Sequence, residues 1–324
     1  MVSPWHLSAL LGMFIAMYSS AAFLVGRKVV AWRVHSTGRP IYYAGWILAL
    51  LITAAASIAI RNVELVWGLV GSAIIIILIG RLDEDRSISV RRQLFWQALI
   101  ALWAVYFGWT IPYVSNPFGD GVIMIAYGGF AAFVWLMLCM NAMNFLDGTD
   151  GLASAVGVIA FASLAGISLL PATQDPLTLI LSLIAIGALT AFFLWNVPPA
   201  RVYLGTSGSW FLGMFLGMTA IIGGGKIATA LIVLALPVLD ALFVIFYRVM
   251  KKRYPWKGDT TSHIHHRLRA WGASSWGILL LLGVITALLG IIAVVAPTHI
   301  KLAVLVLFAI IFFASRAMSM RRKA

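Results

Sequence analysis

The strongest constraint on this chain is its supply of apolar segments. About eleven runs read as bilayer-spanning, at 5–26, 41–60, 64–80, 94–109, 121–142, 151–171, 177–195, 208–222, 227–247, 276–295 and 299–317. Inside hydrocarbon no water satisfies the backbone, so spans of this composition must be helical. The expected fold is all-α, a polytopic membrane helix bundle of about eleven transmembrane helices. Only 10% of the residues are charged, against about a quarter in soluble proteins. With the apolar runs removed, no segment is long enough for a soluble domain. Residues 1–324 therefore read as one integral-membrane domain.

A net charge of +13 invites a nucleic-acid reading. In a membrane protein the simpler account is that Lys and Arg collect in cytoplasmic loops. With the N-terminus outside and the C-terminus cytoplasmic, all of the 23 Lys and Arg except Arg61, Lys226 and Lys301 fall inside. That asymmetry sets the expected orientation and removes nucleic acid as a partner. The first run has no Lys or Arg before it and "GRK" after it, so it reads as an uncleaved anchor. Cys139, the single cysteine, sits in an apolar run and reads as a packing residue. Trp5, Trp109, Trp195, Trp271 and Trp276 fall near span ends, as interface aromatics do. Asp120 reads as a turn residue, "GGGK" (223–226) as a tight outer turn, and the tandem prolines of "NVPPAR" (196–201) as a helix stop.

In this topology the polar motifs share one face, the cytoplasmic one. The stretch "NAMNFLDGTDGLA" (141–153) brings Asn141, Asn144, Asp147 and Asp150 to the end of an apolar helix. Asn141 and Asn144 are three apart and share a helix face. Gly148 and Gly151 let the backbone leave the helix and approach a ligand closely. Amide and carboxylate oxygens are hard ligands, suited to Mg²⁺ bridged to phosphate. The bland alternative is a polar turn with Asn and Asp as caps. Four such groups at a membrane boundary argue against it.

Three more motifs join it. "LDEDRS" crowds Asp83, Glu84 and Asp85 behind the third run, which reads as either a solvated acidic turn or a site that holds a cation. Asp240 lies within an apolar run, where a carboxylate costs about 2.5–3.5 kcal/mol. It reads as an acid facing a hydrated cleft, or as one half of a structural pair. "HIHHRL" places His263, His266 and Arg267 on one helix face beside His265, a cationic face suited to a diphosphate. A zinc site is disfavoured, with one cysteine and no H-E-x-x-H pattern.

Together these motifs resemble the polyprenyl-phosphate N-acetylhexosamine-1-phosphate transferases, glycosyltransferase family 4. The pattern N-x-x-N-x-x-D-G-x-D-G-L-A is met at each specified position from Asn141 to Ala153. "HIHHRL", "LPVLD" (Pro237 and Asp240) and "NVPPARVYLGTSGSWFLG" resemble the family's later motifs in the same order, and "HIHHRL" favours the GlcNAc branch. Glu84 and Ile88 stand where D-D-x-x-x-L-S-x-x-x-K-L has its second aspartate and its leucine, "RPIYYAGW" matches the family's P-R-x-G-G only loosely, and two further departures change charge. Gln93 stands where D-D-x-x-x-L-S-x-x-x-K-L has its lysine, with Arg91 or Arg92 nearby, and Thr206 stands where G-D-x-G-S has its aspartate.

The resemblance implies transfer of N-acetylhexosamine-1-phosphate from a UDP-N-acetylhexosamine to a polyprenyl phosphate at the inner membrane, with release of UMP. It implies Mg²⁺, or Mn²⁺ in its place. The loops 81–93, 143–150, 196–209 and 247–275 would form the active site on the cytoplasmic face. Asp83, Glu84, Asp147 and Asp150 are the expected catalytic carboxylates, and Asn144, Asp150 and Thr206 the expected metal set. Asn141, Asn196, Asp240, His263, His265, His266, Arg267 and Arg92 are the expected substrate contacts. The lipid bilayer and a second copy of the chain are the remaining candidate partners. The competing readings are a catalytically silent homologue that binds nucleotide-sugar or lipid, and a multi-pass solute transporter.

Overall fold

A computed structural model describes residues 4–27, 33–34, 40–119, 121–222, 226–250 and 263–321. Asp120, the glycines 223–225 and the stretch 251–262 lie outside the described residues. Within them the chain is a bundle of α-helices with short strand pairs at its ends. The helices are α1 (Pro4–Arg27), α2 (Gly45–Ala59), α3 (Val63–Arg86), α4 (Val90–Tyr106), α5 (Gly128–Leu146), α6 (Leu152–Leu169) and α7 (Pro176–Asn196). They continue as α8 (Gly205–Ile221), α9 (Ile227–Val233), α10 (Ala235–Met250), α11 (Ile264–Ala270), α12 (Ser275–Val295) and α13 (Thr298–Arg321).

Each expected span coincides with a helix or with part of one. Seven of them, α1, α3, α5, α6, α7, α12 and α13, are long and apolar enough to cross a membrane alone. Three expectations shift, and the first is the run 41–60, which begins as strand in β2 (Pro40–Tyr43) with its helix starting at Gly45. The run 227–247 is not one helix, because α9 and α10 meet at a 71° bend. Pro237 explains it: a proline ring clashes with the carbonyl four residues back, here Val233, where α9 stops. The run 121–142 begins as strand. β3 (Tyr113–Ser115) pairs antiparallel with β4 (Val122–Met124), and the helix starts at Gly128.

Local chemistry sets several helix ends. Asn62 caps α3 by accepting from the Glu64 and Leu65 amides, and Asp175 caps α7 by accepting from those of Leu177 and Thr178, with Pro176 at the first helical position. α3 ends at Ser87, which is left-handed (φ 51°). α7 stops at Asn196, before the two prolines.

α8 is the axis of the bundle, buried from Ser207 to Ile221. A side chain at Gly213 would collide with the Cys139 carbonyl on α5, so glycine there permits close helix contact. The Trp135 indole donates to the Gly217 carbonyl at 3.0 Å and locks the same pair. Cys139 packs in this seam, as expected. Trp109 differs from the expected interface role: it is buried, with its N–H on the Leu65 carbonyl at 3.0 Å.

A second device fixes the start of α8. β2 (Pro40–Tyr43) runs parallel to β5 (Val202–Tyr203), pairing Tyr42 with Val202 and Tyr43 with Tyr203. The Ala44 amide adds a bond to the Tyr203 carbonyl at 3.0 Å.

Candidate active site

The polar motifs converge on the first turn of α8. The C-terminal ends of α3 and α5 bring Asp83, Glu84 and Asp147 there. Helix C-termini disfavour carboxylates, whereas a helix N-terminus attracts them. The first amides of α8 answer this need. The Ser207 amide and hydroxyl donate to Glu84 Oε1 at 3.1 and 2.6 Å, and the Gly205 amide donates to Asp147. The Thr206 hydroxyl donates to Asp83 Oδ2 at 2.6 Å. Arg81 pairs with Glu84 Oε2 at 2.9 Å.

Asp147 has the most perturbed surroundings. Burial pushes its carboxyl well above the ordinary carboxylate range, the charges of Glu84 and Asp150 push it further, and the Gly205 amide opposes only in part. Asp150 is braced separately, accepting from the Ala200 amide at 3.1 Å. Asn196 ties the start of α6 to the turn after α7. Its oxygen accepts from the Gly151 amide and the Ser154 hydroxyl, and its amide nitrogen donates to the Val202 carbonyl.

The histidine motif is anchored by Asp240 on α10. Asp240 Oδ2 lies 2.8 Å from His263 Nδ1, and Oδ1 accepts from the Ile264 amide at 3.1 Å. The Phe145 and His263 rings stack at 4.8 Å. His265 is buried, and its Nε2 has no hydrogen-bond partner. Burial, with His266 and His263 adjacent, lowers its pKa to about 3, so the ring is neutral at physiological pH. The expected cationic histidine face is therefore, at His265, a neutral hydrogen-bonding one. Gly148 lies directly against this ring: a Cβ there would be 2.5 Å from Nε2.

Two cavities open at this end and share Gly148. One is a groove of about 530 Å³ between α4, α5, α10 and the histidine motif. Its wall is apolar along Val134, Met137, Leu138, Leu242 and Ile245, and polar near Asn141, Asn144, His265 and Arg248. The other is a polar pocket of about 340 Å³ bounded by Asp147, Thr149, Asp150, Asn196, Tyr203 and Arg269. The Thr149 hydroxyl is buried there without a partner.

The expected residues divide accordingly. Asn141, Asn144, His263, His265 and His266 line the groove, and Asp147, Asp150 and Asn196 line the pocket. Asp83, Glu84, Thr206 and Asp240 line neither and act from behind, through the bonds described. Arg92 is exposed and outside both cavities, whereas its neighbour Gln93 lines the groove. Arg267 sits over the Trp271 ring at 5.5 Å. Thr206 is turned toward Asp83, and it is the Ser209 hydroxyl that reaches Asn144 Oδ1, at 3.1 Å. Sequence reasoning did not single out Ser207, Ser209, Gln97 or Arg269. Gln97 accepts from Asn141 at 2.7 Å, and only its burial inside a span marks it.

Among the described residues no three His, Cys, Asp or Glu side chains form a metal cage. Asn144 lines the groove and Asp147, three positions on, lines the pocket; both are hard oxygen donors. That is the donor set of an ion such as Mg²⁺, which takes one or two carboxylates and fills its shell with substrate phosphate and water.

Fold and site define a polytopic membrane protein whose oxygen-rich centre opens both to an apolar groove and to a polar pocket. The sequence pattern of Glycosyl transferase family 4 matches residues 66–224. A probable undecaprenyl-phosphate N-acetylglucosaminyl 1-phosphate transferase of Bacillus subtilis (strain 168) is 31% identical over 74% of this chain and 69% of its own. A phospho-N-acetylmuramoyl-pentapeptide-transferase of Sulfurimonas denitrificans is 29% identical over 77% of this chain and 78% of its own. An undecaprenyl-phosphate alpha-N-acetylglucosaminyl 1-phosphate transferase of Yersinia pestis is 27% identical over 87% and 82%. The chain belongs to glycosyl transferase family 4.

Proposed function

We propose that this protein transfers N-acetylhexosamine-1-phosphate from a UDP-sugar to polyprenyl phosphate. The observation that carries the reading is the pair of cavities meeting at Gly148. The apolar groove suits a polyprenyl chain, with its phosphate at the polar end near Asn144, His265 and Arg248. The polar pocket suits a nucleotide, with the Tyr203 ring and Arg269 on its wall. The reacting phosphates then meet beside Gly148, where only a residue without a side chain leaves room next to His265.

In the reaction a lipid phosphate oxygen attacks the β-phosphorus, the bond from that phosphorus to the bridging oxygen breaks, and UMP leaves with both bonding electrons. Asn144 and Asp147 would hold a divalent cation, which neutralises charge on the phosphates in transit. His265 offers a neutral hydrogen bond to a phosphate oxygen. Asp83, held from α4 and α8, and Glu84, held from α8 and by Arg81, lie behind the cavities and would fix the first turn of α8 beside the acceptor's head. Asp150 and Asn196 fix the pocket wall. The site end carries Arg81, Arg91, Arg92, Arg201, Arg248 and Arg269, while Lys226 and Lys301 lie at the other. This supports a cytoplasmic site in the inner membrane, with the N-terminus outside.

The test is incubation of purified protein with undecaprenyl phosphate and a panel of UDP-N-acetylhexosamines, with and without Mg²⁺ or Mn²⁺. Metal-dependent UMP and a lipid-linked sugar diphosphate are expected, and Asn144→Ala should abolish both at unchanged protein abundance. No product from any donor would overturn the reading. Solute flux in proteoliposomes without turnover would replace it with the transporter.

A further inference from the structure

The two charge-changing departures from the family pattern, far apart in the chain, meet on one carboxylate. Gln93 Nε2 donates to Asp83 Oδ1 at 3.0 Å, and the Thr206 hydroxyl donates to Asp83 Oδ2 at 2.6 Å. The Ile88 amide adds a third bond to Oδ1 at 2.8 Å, from the turn that left-handed Ser87 makes. Both oxygens of Asp83 are therefore held by neutral donors from α4, α8 and the turn between α3 and α4. The pattern would place a lysine at 93 and an aspartate at 206. Exchanging them for Gln93 and Thr206 removes one positive and one negative charge, so the local net charge is unchanged.

We propose that Gln93 and Thr206 are a coupled pair of positioning residues, a neutral clamp that fixes Asp83 where the family pattern uses charged groups. Thr206→Asp is then tolerated only together with Gln93→Lys. Alone, it sets a second carboxylate within hydrogen-bonding distance of Asp83, with no ammonium to separate them. The catalytic part of this inference rests on the transferase reading above; the coupling itself does not.

The experiment is a double-mutant cycle on the purified full-length protein, reading the melting midpoint without metal and UMP release with metal. T206D should lower the midpoint and cut UMP release by about tenfold or more. Q93K/T206D should recover at least half of each loss. If T206D fails to accumulate, normal accumulation of Q93K/T206D is the same rescue, and failure of both counts against the clamp. Conservative variants separate positioning from bulk. T206S should stay within about twofold of wild type, while isosteric T206V should lower kcat by about tenfold with KM for the UDP-sugar unchanged. Additive effects in the cycle, or T206V as active as T206S, would overturn the clamp. If the wild-type protein turns over no donor, the melting cycle still decides the coupling, and the transferase reading alone falls.

Discussion

α7 carries an aspartate at one end and braces the candidate site at the other. At its start Asp175 accepts from Lys226 at 2.6 Å, from the Thr178 hydroxyl at 2.7 Å and from two amides. Burial alone would raise the pKa of this carboxyl, but the bonds from Lys226 and Thr178 outweigh it and hold it below the ordinary range. At the far end Asp147 is also removed from water, but the neighbouring charges that act on it, from Glu84 and Asp150, have its own sign. Its carboxyl is pushed up instead. One end of the bundle completes its electrostatics within the chain. The other crowds buried carboxyls together, as functional sites do.

Exchanging each aspartate for asparagine tests this contrast, and the largest effect is expected at the site. Asp147→Asn should cut transfer by about a hundredfold or more, the scale on which a preorganised electrostatic group acts. Its melting midpoint should hold or rise, because a carboxyl with a raised pKa opposes folding at neutral pH. Asp175→Asn should do the reverse, with a lower midpoint and unchanged turnover per folded molecule. Equal behaviour of the two variants would erase the distinction.

The next effect belongs to Lys226. Lys226→Met leaves the half-buried Asp175 without its ammonium; removal of one partner from a fully buried pair costs about 3–5 kcal/mol, and a smaller loss is expected here. Denaturant unfolding in detergent measures it. The depressed pKa of Asp175 contributes stability that is present above its unfolded value and lost as pH falls through the lower folded one. K226M should flatten that acid limb.

The effect at His265 shows only in acid. Its folded pKa, about 3, lies below the ordinary 6.5, so the unfolded chain binds the proton first. Stability should therefore be full above pH 6.5 and decline as pH falls toward 3. His265→Gln should lose that slope, as melting midpoints across the window will show. An unchanged slope would mean that His265 takes up a proton in the folded protein.

The helices and the single polar end were legible because hydropathy and charge asymmetry are local properties of sequence. The kink before α10 was not read: hydropathy joined the two pieces, although Pro237 marks the break. Which donor meets which carboxylate was not legible. Asp83 finds Thr206, and Glu84 finds Ser207, across 123 positions, and only helix packing brings them together. Asp240 illustrates the same limit. Its burial was visible as an anomaly, but its service to His263 and Ile264 depends on where α11 docks. The neutrality of His265 is a property of enclosure, which a motif of three histidines conceals.

The pairing of Tyr42 and Tyr43 with Val202 and Tyr203 has a practical corollary. The stretch that carries the family signature, 66–224, contains only the β5 half of this clasp and none of the histidine helix. Excising it as a minimal catalyst would free the hinge that aims Ala200 and Gly205 at the two aspartates, and would discard one wall of the groove. The smallest working unit is therefore wider than the signature, and reaches from the tyrosine ribbon to the histidines.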